Sequence, residues 1–296
     1  MPLIPSLLLP EVYGPWKAEP GFIAAQIAKA AAEGFYRSVE IGPIPYEQDR
    51  ATIRGICADK EIQVSAWLTQ IVDEEKLDLN AIDEDLRRRS VDVIKRSLPI
   101  AVESGAGTVA FVGGADPGPH LREKGYDSFV TSMVTICDEA ANLGLNVMFE
   151  PLDRFAHKKR LIGPTAEAVV AIGRVRETHP GFGLAFDTAH VALNQEEIGE
   201  ALALASDQVL NLHLSNAVID PSDPLYGDYH MMPGAPGFLT LDKAASILSD
   251  VLRLGIGGES GLRVAIEARA RPDDDRQATA NLATTFLREA MMRVSI

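Results

Sequence analysis

Four side chains that can bind a metal ion or transfer a proton each follow a short apolar run in the second half of the chain. Glu150 ends the run LNVMFE and is followed at once by Pro151. Asp187, His213 and Glu267 end the runs GLAFD, VLNLH and LRVAIE. Short apolar runs of this kind are typical of buried strands. The repetition predicts that the four side chains lie together at the carboxyl ends of four strands.

Three carboxylates and one imidazole are a suitable ligand set for a divalent cation. The oxygen-rich set favours Mn²⁺, with Mg²⁺ or Co²⁺ as alternatives, over a structural zinc. Such a cation polarises a substrate carbonyl or hydroxyl and stabilises the enediolate that forms when a neighbouring proton is removed. We expect Glu150 and Glu267 to approach the substrate from opposite sides, so that one takes a proton and the other returns it.

Three further side chains are candidates for substrate contact. His190 lies three residues after Asp187, where it either caps the following helix or contacts the substrate, and we favour the second role. His230 lies in the Pro- and Gly-rich stretch GDYHMMPG, where solvent exposure and a place in the site are both open. Glu40 ends the run SVE and is expected at the mouth of another strand as a substrate or network contact.

The stretch 216–238 is longer than the roughly 2 to 6 residues usual for a connection between a strand and a helix. Long loops at a catalytic face commonly form lids or walls of the binding site. We expect Tyr226, Tyr229 and Met231 in this loop to pack against a substituent on the substrate.

The elements that must position these side chains alternate along the whole chain. Strands are predicted at 3–9, 36–42, 62–68, 107–113, 145–150, 183–187, 209–215 and 263–268. Helices are predicted at 22–33, 47–60, 80–104, 127–143, 164–178, 196–205, 241–254 and 276–291. Eight such units predict an α/β fold, a (β/α)8 TIM barrel whose single domain spans 1–296. The alternative, a doubly wound open sheet, lacks a Gly-rich phosphate loop after the first strand.

Composition limits the partners. The 296 residues carry 28 basic and 42 acidic side chains, a formal charge of −14, which disfavours nucleic acid. Cys57 and Cys137 fall on the apolar phase of helical patterns, as expected of buried thiols in a reducing cytoplasm. The chain shows neither a membrane span nor the basic start of a signal peptide. We therefore expect a cytoplasmic protein without a membrane partner, and a homo-oligomer, dimer or tetramer.

The motifs FEPLDR, FDTAH, HLSN and IEAR resemble the four-ligand signature of the xylose isomerase-like sugar isomerase and epimerase superfamily. The segments GFYRSVEIG and ESGAGTVAFVGG resemble its second and fourth strands. The resemblance implies a TIM barrel in which the four strand-end side chains hold the metal and the two glutamates form the acid/base pair. It also implies that His190 touches the substrate, and we expect the same of Arg154, which ends FEPLDR.

Two departures from the superfamily pattern bear on the substrate. Ketose 3-epimerases of this superfamily usually carry a Glu shortly after the first motif, where this chain has Ala156. They also have an Arg soon after the strand-seven His, whereas this chain reads HLSNAVID. The insertion ending DPLYGDYHMMPG is similar to that of members that epimerise keto-glycosides. The sequence therefore predicts a small-molecule substrate, a ketose or a keto-sugar such as a keto-glycoside.

The leading prediction is a divalent-metal-dependent sugar isomerase or epimerase that works through a metal-stabilised enediolate. The catalytic subunit of a keto-sugar C-glycoside lyase would use the same chemistry and would need a second subunit. A non-catalytic sugar-binding barrel would not exchange substrate protons. A metal-dependent abasic-site endonuclease resembles the chain in Asp228 and His230, but it needs histidines at the ends of strands two to four, and none precedes His120.

Overall fold

Strands and helices alternate along residues 2–294, the part of the chain that the computed structural model describes. The strands are β1 (Leu3–Leu8), β2 (Ser38–Ile41), β3 (Gln63–Trp67), β4 (Thr108–Val112), β5 (Asn146–Glu150), β6 (Gly183–Asp187), β7 (Val209–Val218), β8 (Gly227–Met231) and β9 (Leu262–Glu267). The helices are α1 (Leu9–Val12), α2 (Phe22–Glu33), α3 (Glu47–Asp59), α4 (Thr69–Glu74), α5 (Glu84–Glu103), α6 (Arg122–Asn142), α7 (Thr165–Arg176), α8 (Thr188–Leu193), α9 (Ile198–Ala205), α10 (Leu241–Leu254) and α11 (Ala278–Met292). Within this range no helix is both long and apolar enough to cross a membrane.

Eight of the strands close into a parallel barrel. Their order is β6-β5-β4-β3-β2-β1-β9-β7, and β6 pairs with β7 to complete the ring. The prediction of a single-domain α/β TIM barrel is confirmed. The register places Asp187 beside His213 and Ser215 beside Glu267, so these side chains reach the same end of the barrel.

The core has two layers because successive side chains of a strand point to opposite faces. Outward-facing residues such as Val39 and Ile41 pack under the helices in the larger cluster. The barrel interior holds a smaller cluster, formed by Leu8, Trp67, Ala110, Met148, Ala185 and Ala265. Arg263 spans the other end of the interior, donating hydrogen bonds to Ser65 Oγ and Thr108 Oγ1, both at 3.1 Å.

Most predicted helices form within a few residues of their expected bounds. α5 begins later than predicted because the Asp83 carboxylate accepts a hydrogen bond from the Leu86 N–H at 2.9 Å and caps the helix there. α6 begins five residues before the expected start at 127. The sequence pattern did not predict the short helices α1, α4 and α8. They begin within two residues of the ends of β1, β3 and β6, at the mouth of the barrel.

The stretch predicted as an irregular loop at 216–238 contains a β-hairpin. β7 continues past the barrel to Val218 and pairs antiparallel with β8, with Asn216 opposite Met231 and Val218 opposite Gly227. Asn216 also ties the chain after β8, donating to the carbonyls of Met232 and Gly234 at 2.8 Å. The hairpin is therefore a fixed part of the barrel mouth.

We expect Arg263→Ala to lower the free energy of unfolding by about 1 to 3 kcal/mol, because Ser65 and Thr108 lose the donor that satisfies them inside the barrel. Urea denaturation followed by circular dichroism measures the change. Arg293→Ala is the matched control, since its ion pair with Asp242 is exposed and should contribute less than about 0.5 kcal/mol. Equal effects of the two substitutions would contradict the assignment.

Candidate active site

The four strand-end side chains meet at the mouth of the barrel. Glu150 and Asp187 end β5 and β6, Glu267 ends β9, and His213 lies within β7. One potential ligand atom from each lies within 4.8 Å of the other three. His213 Nδ1 is 3.1 Å from Glu267 Oε2 and 3.6 Å from Glu150 Oε1. All four residues are buried, so the barrel gathers three carboxylates in a place with little water to solvate them.

Asp187 indicates that this cluster suits a cation. Its Oδ1 accepts hydrogen bonds from the N–H groups of Ala189 and His190, at 2.8 Å and 3.0 Å, and so caps α8. Its Oδ2 is buried and has no hydrogen-bond partner within residues 2–294. Burial raises the pKa of Asp187 to about 7; the charge of His190 opposes this rise and that of Glu267 adds to it. An unpartnered carboxylate oxygen in a buried acidic cluster fits a divalent metal ion, which would satisfy it.

Glu40 holds the imidazole of His213 by the nitrogen turned away from the cluster. His213 Nε2 lies 2.9 Å from Glu40 Oε2, and the same oxygen accepts a hydrogen bond from Trp67 Nε1 at 2.6 Å. Burial would raise the pKa of Glu40, but the charge and hydrogen bond of His213 outweigh it, and the pKa is lowered. With its proton on Nε2, His213 presents the lone pair of Nδ1 to the cluster.

Of the two roles expected for Glu40, substrate contact or network contact, its surroundings favour the second. Its side chain is fully buried inside the barrel and does not line the cavity over the cluster, because Glu40 lies on the inner face of β2 below the mouth. It is a positioning residue for His213. The sequence could not separate these roles, since a carboxylate near a strand end can serve either.

His190 lies on α8 at the edge of the cluster and lines the cavity. Its Nδ1 is 3.2 Å from Asp153 Oδ2, and its Nε2 is 3.8 Å from Asp228 Oδ2. Burial would lower the pKa of this imidazole, but the carboxylates of Asp187, Asp153 and Asp228 outweigh burial and raise the pKa to about 9. A protonated imidazole here can donate a hydrogen bond into the cavity.

His230 is buried on β8, so the alternative of solvent exposure is wrong. Its backbone has a φ of 50°, uncommon for a residue other than glycine. Its Nε2 is 3.0 Å from Asp228 Oδ2 and its Nδ1 is 2.8 Å from Glu11 Oε2. Arg269 donates to both oxygens of Glu11, at 2.6 Å and 3.0 Å. Glu11, His230 and Glu267 are also close enough to share a cation, but Arg269 already balances the charge of Glu11.

Glu11 and Arg269, which contact His230 in the site, were not among the residues predicted from the sequence. Each lies two or three residues beyond the end of a barrel strand, β1 or β9, where side chains reach the mouth. This position just after a strand end is the sequence feature from which both could have been predicted.

Arg154, expected as a substrate contact, does not line the cavity. Its guanidinium donates to Glu167 Oε1 and Oε2, at 2.9 Å and 2.6 Å, and also to the Tyr126 hydroxyl and the Leu161 carbonyl. Its backbone N–H donates to Asn194 Oδ1 at 2.8 Å. These contacts anchor the chain after β5 to α7.

A cavity of about 480 Å³ opens over the cluster. Its floor includes Trp67, Glu150, His190, His213, His230 and Glu267. Its rim carries four cations, Lys17, Lys158, Arg160 and Arg269. A larger cavity of about 780 Å³ lies at the opposite end of the barrel, among residues that begin the strands, such as Gln63 and Asn146. We place the site in the smaller cavity, because TIM-barrel enzymes carry their chemistry at the carboxyl ends of the strands.

A TIM barrel with a carboxylate and histidine cluster at this mouth defines a recognisable class of protein. Residues 27–288 match the family model described as xylose isomerase-like TIM barrel. The match covers most of the chain, and the protein therefore belongs to the xylose isomerase-like TIM barrel family. No curated protein matches the sequence significantly.

Solved structures with this fold align over nearly the whole chain. D-psicose 3-epimerase from Clostridium cellulolyticum H10 is 16% identical, with a TM-score of 0.75, over 99% of this chain and 100% of that one. The IOLI protein with a bound zinc atom is 15% identical, with a TM-score of 0.74, over 99% of each chain. The E. coli 3-keto-D-glucoside 4-epimerase is 15% identical, with a TM-score of 0.66, over 97% of this chain and 100% of that one. At these identities the likeness establishes the fold.

We expect a divalent metal ion to stabilise the protein more at high pH than at low pH. In metal-free protein, burial raises the pKa of Asp187 from 3.8 to about 7, so the folded state holds a proton that the unfolded state releases above pH 4. Stability of the metal-free protein should therefore fall as pH rises through this window. At low pH a metal ion must displace the proton of Asp187 before it can bind. At high pH it relieves the repulsion among the ionised carboxylates of the cluster. The rise in melting temperature caused by Mn²⁺ should be roughly 5 °C or more near pH 8 and much smaller near pH 5.

Scanning fluorimetry with EDTA-treated protein measures this difference. Asp187→Asn, which cannot titrate, should lose most of its pH dependence. An equal Mn²⁺ effect at both pH values in the native protein would contradict the competition between Mn²⁺ and the proton of Asp187, and no Mn²⁺ effect at either pH would contradict the fit of the cluster to a cation.

We expect Glu40→Gln to weaken Mn²⁺ binding by about 10- to 100-fold, because His213 loses the carboxylate that orients its ring. Isothermal titration calorimetry gives the affinity. Glu103→Gln removes a carboxylate from an ion pair with Arg50 outside the site and is the control. Unchanged affinity in Glu40→Gln would mean that Glu40 does not position the ligand.

Proposed function

We propose that the protein is a divalent-metal-dependent epimerase or isomerase that moves a proton on a ketose or keto-sugar. The placement of Glu150 and Glu267 is the observation that carries this proposal. Their carboxylates approach His213 from different walls of the barrel, β5 and β9, and both line the cavity. Two carboxylates that meet a substrate from two directions can remove a proton from one face and return it to the other.

The neighbouring groups suit the same reaction. A divalent cation held by the four-residue cluster would stabilise the negative charge that develops on the substrate oxygens when the proton leaves. We propose Mn²⁺, with Mg²⁺ or Co²⁺ as alternatives, because three of the four ligands are carboxylates. The zinc atom of the IOLI protein makes Zn²⁺ the comparison metal. His190 and His230 lie on the cavity wall, where they can donate hydrogen bonds to substrate hydroxyls.

The substrate class is a small sugar that carries a keto group. The relatives named as D-psicose 3-epimerase and 3-keto-D-glucoside 4-epimerase support this class. Ala156 packs against the cluster formed by Ala189, Leu193 and Ala217 and offers no carboxylate to the terminal hydroxyls of a free ketose. We therefore favour a substituted keto-sugar over a free one.

Proton exchange with solvent tests the reaction directly. Metal-loaded protein in D₂O should exchange one C–H of a suitable keto-sugar, and NMR of a panel of fructose, tagatose, psicose and methyl 3-keto-glucoside identifies that position. Glu150→Gln and Glu267→Gln each keep a ligand oxygen but lose the base, so we expect each to lower the rate by about 10² to 10⁴ fold. Glu103→Gln, in an exposed ion pair, is the control.

Three results would assign a different function. Near-native rates in both glutamine variants, with metal still bound, would exclude the two-carboxylate mechanism. Release of the aglycone from a C-glycoside after addition of a partner subunit would favour the lyase. Sugar binding without exchange of any C–H would favour a non-catalytic barrel.

A further inference from the structure

A third cavity, of about 300 Å³, adjoins the candidate active site on the outer side of the barrel. It lies between α3 and α5, against the outer faces of β2 and β3. Its walls are mostly apolar and include Ile41, Ile44, Leu68, Ile71, Ile100 and Ala101. We call it the side pocket. Its size and lining are those of a site for part of a small molecule.

The side pocket and the catalytic cavity share three residues, Lys17, Gly42 and Gln70. Gly42 contributes no side chain to the shared boundary. Lys17 forms no ion pair with any residue in the described range 2–294, so its ammonium is free to donate to an oxygen at the boundary. The boundary thus carries polar groups, and the pocket beyond it carries apolar ones.

The polar groups inside the side pocket are already satisfied by the protein. Ser97 Oγ donates to the Val93 carbonyl at 3.1 Å, and Ser104 Oγ donates to the Ile100 carbonyl at 3.4 Å. Arg50 donates to the carbonyls of Ile44 and Pro45 and pairs with a glutamate of α5. A second sugar ring placed here would find few free protein partners for its hydroxyls, whereas an apolar group needs none and gains from burial against the apolar walls.

The β7–β8 hairpin forms no comparable pocket for a substrate substituent. Tyr229 is exposed and packs against the ring of His157, with centroids 4.9 Å apart. Tyr226 packs against the cluster formed by Ala189, Leu193 and Ala217. None of Tyr226, Tyr229 and Met231 lines the catalytic cavity. The lining of the cavity does not support the expectation that these three residues form the wall for a substrate substituent. Tyr229 and Met231 lie on the face of β8 opposite to Asp228 and His230, and Tyr226 precedes the strand. The extra room lies on the β2 and β3 side instead.

We propose that the side pocket binds the apolar aglycone of the substrate, an aromatic or alkyl group joined through one glycosidic oxygen to the keto-sugar in the catalytic cavity. This inference rests on the proposed function for the identity of the sugar. Lys17 and Gln70 lie at the glycosidic oxygen and the adjacent hydroxyls. Ile71 and Ile100 enclose the aglycone. Binding energy gathered in the pocket is expressed as rate at the reacting carbon, so an aglycone that fills it raises kcat/KM.

The test compares two substrates that differ only in the aglycone, phenyl and methyl 3-keto-β-glucoside. We expect kcat/KM in the native protein to be about 10- to 100-fold higher for the phenyl compound. Ile100→Lys puts a charge on the exposed wall of the pocket and should bring this ratio close to one. Ile82→Lys is the matched control, because Ile82 is 41% exposed, Ile100 is 44% exposed, and Ile82 lines neither cavity. It should keep the native ratio.

A second variant tests the pocket independently, in case Ile100→Lys impairs folding. Ala18→Trp fills the side pocket from an exposed position that lines this pocket alone, and it should also lower the ratio. A native ratio near one, or a ratio that falls equally in Ile100→Lys and Ile82→Lys, overturns the proposal.

Calorimetric binding of phenyl and methyl β-glucoside, which do not react, separates this inference from the proposed function. Tighter binding of the phenyl compound that is lost in Ile100→Lys, without turnover of any keto-sugar, supports the pocket and refutes the reaction. Turnover without a preference for either aglycone supports the reaction and refutes the pocket.

Discussion

The crowding of three carboxylates around one imidazole is the constraint on which the rest of the site depends. Glu150, Asp187 and Glu267 meet His213 in a buried place, where unbalanced negative charge is costly. The strands that carry them are hydrogen-bonded in register around a closed barrel, so the carboxylates cannot separate. Protons, histidines or a cation must balance the charge. The unpartnered oxygen of Asp187 shows that the described residues leave this balance incomplete.

A surrounding set of charge pairs holds the orientation of the imidazoles. Glu40 holds His213, Asp153 holds His190, and Asp228 lies between His190 and His230. An imidazole with one nitrogen held in this way presents the other nitrogen in a fixed direction. The imidazoles on the floor of the cavity are therefore held in place. Of the four cations at its rim, Lys158, Arg160 and Arg269 form ion pairs, and Lys17 forms none within residues 2–294.

The β7–β8 hairpin explains which residues of a Pro- and Gly-rich stretch join the site. In β8, Asp228 and His230 share one face because they are two residues apart, and Tyr229 points to the other face. The aromatic residue that seemed suited to a substrate wall is exposed for this reason. Pairing with β7 also makes the stretch ordered, although its composition is that of a loop.

Much of the fold was determined by the sequence alone, because eight apolar runs separated by helical patterns are strong local signals and the barrel is the way to bury them. The same runs indicated that Glu150, Asp187, His213 and Glu267 would reach one end of the sheet. Tertiary structure decided how the remaining polar residues are used. Glu40 turned into the barrel interior toward His213, and Arg154 was drawn away by Glu167. Local pattern places a side chain on an element, but its role depends on which opposite charge the folded chain brings within reach.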